Sequence, residues 1–144
     1  MVLLALPAVL SSCSSGIAYS VTADELLGQW NAGSDAILTT SSDGTFTAEN
    51  WPSNLLCGEP SAVSKDDIDW NDRITFSGTW SAPTEKKDYS LQFFNDVNDC
   101  QQSSWSADAW DLGSGRLSLK LFLDFSVDPD DVPDEKIYWL DKVK

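Results

Sequence analysis

Between Arg116 and Phe125 an apolar residue falls on every second position: Leu117, Leu119, Leu121, Leu123 and Phe125. A period of two places all five on one face of an extended strand, which no helix can do. The alternation recurs in shorter runs. Ile74, Phe76 and Trp80 share a face within Ile74–Trp80, and Tyr89–Phe93 alternates again. Ala36–Ser41 and Thr45–Glu49 flank Ser42-Asp43-Gly44, and Asp-Gly between two β-like runs marks a hairpin. Pro52 is expected to end it, because proline cannot donate to a ladder. Leu56–Asn71 then reads as a long acidic connection. Trp30, Ser104–Leu112 and Ile137–Leu140 supply further strands; Trp105 and Trp110 have opposite parities, which predicts a bulge between them. No 3.6-residue period persists anywhere. One short helix is expected, where Thr22 caps, Glu25 stands at N3, and Val21 and Leu26 form a hydrophobic staple before Gly28 intervenes.

The prediction is an all-β domain of about eight antiparallel strands in sequential order, an up-and-down barrel or curled meander, with a short N-terminal helix. A chain of 144 residues is long enough for one such domain and its core.

Charge narrows the function. The chain carries 23 acids, 9 cations and no histidine, for a net charge of −14. Without histidine there is no Ser-His-Asp or Cys-His nucleophile and no histidine-based metal site. The acidic balance excludes nucleic acid as a partner, because phosphates call for a lysine and arginine footprint. Every charged residue lies at or after Asp24. The charge therefore belongs to the folded body.

The uncharged opening, MVLLALPAVL, is too short to span a bilayer and suits the apolar region of a signal peptide. Leu10-Ser11-Ser12-Cys13 follows and resembles the lipobox of bacterial lipoproteins. That resemblance implies cleavage before Cys13 and acylation of its thiol, so that acyl chains replace the lost apolar anchor. It divides the chain into a signal peptide (1–12), a flexible tether (13–20) and a single β domain (21–144). It also places the protein on the outer face of the cell membrane, held there through Cys13. With Cys13 assigned to lipid, Cys57 and Cys100 remain as an even pair, which reads as a disulfide in an exported, oxidised protein. Closing that loop is worth about 4 kcal/mol in chain entropy.

The body resembles a group of small, uncharacterised actinobacterial lipoproteins. Leu27-Gly28-Gln29-Trp30 is similar to the group's opening L-x-G-x-W, and Asp43-Gly44-Thr45-Phe46 with Leu38 to its D-G-T-F hairpin. Trp51-Pro52 and Leu56-Cys57-Gly58 stand where it has a proline turn and a cysteine. Gly78-Thr79-Trp80 resembles its G-x-W strand, and Asp128-Pro129-Asp130 its acidic turn; here the acidic turn runs on to Glu135. Gly-x-Trp near the start of a barrel is also a lipocalin feature, so the expected barrel is lipocalin-like. The group brings no activity that can be transferred.

Candidate sites follow from residue chemistry. Asp66, Asp67, Asp69 and Asp72 form one acidic cluster, and Asp128, Asp130, Asp131 and Asp134 another; neither has EF-hand spacing. They read as solvated surface, and no metal or other cofactor is expected. The loops at Asp96–Asp99 and Asp128–Glu135 would suit a cationic protein partner. Of the tryptophans Trp30, Trp80, Trp105, Trp110 and Trp139, which could line a ligand cup, Trp80 reads as core. Trp51, Trp70 and Trp110 lie beside polar loops and are the candidate ligand-binding residues. The expected protein is a monomer, lipid-anchored in the cell envelope, with a binding or structural role and no catalytic residue. The alternatives are a barrel that takes a small apolar or sugar ligand, and a carboxylate-dependent hydrolase.

Overall fold

The structure is a computed structural model that describes residues 16–18, 21–82, 90–113 and 115–144. Eight antiparallel strands run in chain order: β2 (Gly28–Asn31), β3 (Ile37–Thr40), β4 (Thr45–Pro52), β5 (Arg73–Ser81), β6 (Ser90–Asn95), β7 (Ser104–Asp111), β8 (Leu117–Phe122) and β9 (Ile137–Lys142). Each pairs with the next, and β9 returns to β2 through Trp30–Lys142 and Asn31–Asp141, so the sheet closes into an up-and-down barrel. Closure removes the free edges that an open sheet would leave. The short helix α1 (Ala23–Leu26) precedes β2 and has the expected capping box: Glu25 N–H donates to Thr22 Oγ1 (3.4 Å) and Thr22 N–H to Glu25 Oε2 (2.7 Å). The residues read as tether depart from expectation. Gly16–Ile17 form a two-residue strand, β1, paired with Asp111 and Trp110 of β7.

Inward positions follow the period of two. Phe76 and Trp80 of β5, Leu91 and Phe93 of β6, Trp105, Ala107 and Ala109 of β7, and Leu119 and Leu121 of β8 are all buried. The interior is packed with aromatic rings: Phe93 stacks on Trp105 (centroids 3.9 Å apart, 4° between planes), and Phe46 meets Phe76, Phe93 and Trp105 edge to face. Such pairs contribute about 0.5–1.5 kcal/mol each beyond burial. Gly78 makes the crowding feasible, because a Cβ there would lie 2.8 Å from the Phe46 ring and collide with the Phe94 carbonyl.

Three local expectations need correction. Strand β7 keeps a regular register, so Trp105 points in and Trp110 out with no bulge. The irregularity lies in β4, between Ala48 and Trp51, where Asn50 adopts φ 54°. The extra residue restores the inward direction to Trp51 and carries the strand on to Pro52, opposite Arg73. Strand β8 stops at Phe122, and Phe125 is 67% exposed although it continues the alternation. Leu56–Asn71 is acidic but also structural, since Leu55, Leu56, Cys57, Ala62 and Ile68 of this region are buried.

Candidate functional site

The two ends of the barrel are built differently. At one end the 53–72 connection folds under the strands. Trp51 Nε1 donates to Leu55 O (2.7 Å), and the Cys57–Cys100 disulfide joins this connection to the β6–β7 loop, as the cysteine count predicts. Asn95, buried here, has every polar group engaged: Nδ2 donates to Leu56 O (2.9 Å) and Gln102 O (2.8 Å), and Oδ1 accepts from Trp105 Nε1 (2.9 Å). An unpartnered amide in this position would cost about 1–3 kcal/mol. Arg73 ties the rim together, donating to Trp70 O (2.5 Å), Ser34 O (2.9 Å) and Asn50 O (2.8 Å), with its guanidinium 4.9 Å from the Trp70 ring. Trp70 rests on Tyr138, whose hydroxyl donates to Ala32 O; burial pushes that phenol up from its ordinary range.

The opposite end, the mouth, is covered only by the single turn of α1. A cleft of about 900 Å³ lies between the N-terminal segment and the β7–β8–β9 rim, with Ile17, Val21, Leu112 and Leu117 on its apolar side and Arg116 and Lys142 among its charges. Lys142 points inward at the base. Its Nζ donates to Leu27 O and lies 5.0 Å from the Trp30 ring, and burial holds its pKa below the ordinary lysine value. Gly28 beside it has φ +112°, a backbone conformation that glycine adopts without strain. Thr40 secures α1 over the strands, donating to Leu26 O (2.5 Å).

On the outer wall, Lys120 sits 4.6 Å from the Trp110 ring, 5.2 Å from Phe122 and 5.8 Å from Trp139. Asp108 stands opposite Lys120 in the ladder and accepts from Ser90 Oγ (2.6 Å); burial raises its pKa, against the lowering pull of Ser90 and Lys120.

The predicted site tryptophans are therefore not brought together. Trp51 is wholly buried at the sealed end, which corrects its reading as a ligand-binding residue beside a polar loop. Trp70 is half-buried at the sealed rim, and Trp110 half-buried on the outer wall. Among the five cup candidates, Trp30, Trp80 and Trp105 are buried in the core, while Trp110 and Trp139 pack against each other outside, 5.8 Å apart. Cys13 lies outside the described residues. Among the described residues no group of three or more acids or cysteines converges as a metal site. Asp128 instead accepts from Asp130 N–H (3.0 Å), and Asp69 from Asn71 N–H (3.0 Å), so these acids serve their own turns. No local motif marks Lys142 or Lys120. The last strand was expected to end at Leu140, yet Leu140 and Lys142 keep the same parity, and that was the available signal.

No family model, curated protein or solved structure matches this chain.

Proposed function

We propose that this protein is exported, held on the outer face of the cell membrane by acyl chains on Cys13, and acts through the outside of its barrel as a binding or structural element without a catalytic centre. The observation that carries the surface role is the filled interior: Trp30, Phe46, Phe76, Phe93, Trp105, Leu119 and Leu121 occupy the space that a container would leave for its ligand. The Cys57–Cys100 disulfide supports export, since such bonds persist in oxidising compartments. The lipobox-like Leu10-Ser11-Ser12-Cys13 supports the anchor, and the resemblance to small actinobacterial lipoproteins agrees with both. Mass spectrometry of protein extracted from membranes tests the anchor: the N-terminal peptide should begin at an acylated Cys13, and an unmodified Met1 or Cys13 would overturn it.

A second reading, a small apolar or sugar ligand, is favoured by the mouth cleft alone. It puts the ligand on the rim rather than in the barrel. Calorimetric titration with fatty acids and simple sugars should then give saturable heat that Leu117→Asp removes; heat that survives this substitution would place the ligand elsewhere.

A further inference from the structure

The tether returns to the barrel at one defined place. Gly16 and Ile17 add to β7 at Asp111 and Trp110, beyond the last residue that β6 pairs, and Ala18 N–H donates to Ala109 O (3.0 Å). That is the mouth end. Cys13 precedes Gly16 by three residues, which in full extension reach about 11 Å. A lipid on Cys13 therefore cannot hold the barrel far from a bilayer, and it draws down the mouth.

Charge is divided along the same axis. The sealed end carries Asp35, five acids in 53–72, two in 96–103 and six in 123–136, against Lys65, Lys136 and the rim Arg73. At the mouth the described residues present Asp24, Glu25, Asp43, Asp111 and Asp141 against Arg116, Lys142 and Lys144. The mouth is therefore less acidic than the sealed end, and it also carries apolar groups, namely Ile17, Leu112, half-buried Trp110 and Val143, which is 40% exposed. Tryptophan with an exposed arginine and lysine, here Trp110 with Arg116 and Lys144, suits a lipid headgroup layer, while Lys142 is turned inward.

We propose that the mouth rim, formed by β1, the β7–β8 turn and the C-terminus, is a membrane-facing surface that rests on the lipid headgroup layer, and that the more acidic, disulfide-closed end projects away from the cell. The proposal rests on the reading of Cys13 as the anchor point. The scale of the fields supports this pose. Strands of six to eight residues are about 20–26 Å long, and at the usual barrel tilt of about 35–45° they set the two ends about 14–21 Å apart. The screening length at physiological salt is about 8 Å. In the upright pose the acidic end stands beyond the reach of an anionic surface; tipped over, it would be repelled by it.

The test uses the full chain attached through Cys13, its one thiol outside the disulfide, to a maleimide phospholipid in vesicles of phosphatidylcholine and phosphatidylglycerol. Lysine acetylation read by mass spectrometry then compares Lys144, exposed at the mouth, with Lys65, exposed at the sealed end. Attachment should slow modification of Lys144 several-fold and leave Lys65 unchanged. Equal slowing at both lysines, or none at Lys144, would overturn the orientation. Because the link is chemical, this outcome is independent of natural acylation, which the extracted protein reports separately.

Discussion

The sealed end and the mouth are made from the same strands yet hold themselves together by different means. At the sealed end a 20-residue connection, 53–72, turns its apolar side chains into the barrel and is fastened by Trp51, Asn95, Arg73 and the disulfide. At the mouth the cover is one turn of helix, carried by Leu26, the Thr22–Glu25 capping box and Thr40. Deep packing makes the first end costly to open, while the second depends on a cap and a few hydrogen bonds. In this barrel the heavier floor lies at one end, and a single helical turn suffices at the other. The other end is left free for the N-terminal segment and for contact with the surroundings.

The largest expected effect probes the floor. Trp51→Ala should lower unfolding stability by about 3–5 kcal/mol in urea titrations, because it empties a fully buried site and leaves Leu55 O without its donor. Replacing Cys57 and Cys100 together by alanine should cost about 2–5 kcal/mol in the same assay. Thr22→Ala at the mouth should cost about 1 kcal/mol. It should speed hydrogen exchange in α1 while leaving the Asn95 amide protected. If Thr22→Ala cost as much as Trp51→Ala, the two ends would be equally built and the contrast would fail.

Acid titration gives a smaller effect with opposite signs. The Lys136 ammonium and Ser126 hold the Asp124 carboxyl down at about 2. Its support of the fold is present above the ordinary carboxylate value of 3.8 and is lost as pH falls through about 2. The stability gap between the wild type and Asp124→Asn should therefore close on acidification through that window. Asp108 behaves in reverse: its raised folded pKa means that protonation favours the fold. The wild type should gain relative to Asp108→Asn as pH falls through that raised value, with the full gain reached below 3.8. Paired thermal melts across this range check both slopes.

The sequence reading reached the barrel because most of its strands announce themselves individually. Leu117–Leu123, Ile74–Trp80 and the Asp43-Gly44 hairpin each carry a local signal, and sequential antiparallel pairing then leaves few topologies. The capping box and the cysteine pair were legible for the same reason, since each is a short pattern with one physical meaning. The floor was not legible. Leu55, Leu56 and Ile68 are spaced irregularly among acids, so no periodicity shows that they turn inward. The same holds for Trp51: only the bulge at Asn50 restores its inward direction, and a bulge has no fixed signature. The Phe125 alternation misled because the pattern ran on past the last ladder residue into a turn. The polar neighbours of the tryptophans in sequence do not fix where their rings point. Trp70 and Trp110 did land at half-buried positions, but on different surfaces, because strand parity and not loop polarity decides where a ring points.

The account rests on the barrel being full, and xenon is the most direct probe, because it enters dry apolar cavities and leaves packed cores unoccupied. A crystal held under xenon pressure should show no atom among Trp30, Phe46, Phe93, Trp105 and Leu119. A well-occupied xenon site enclosed by those side chains would contradict the account and return the ligand to the inside of the barrel.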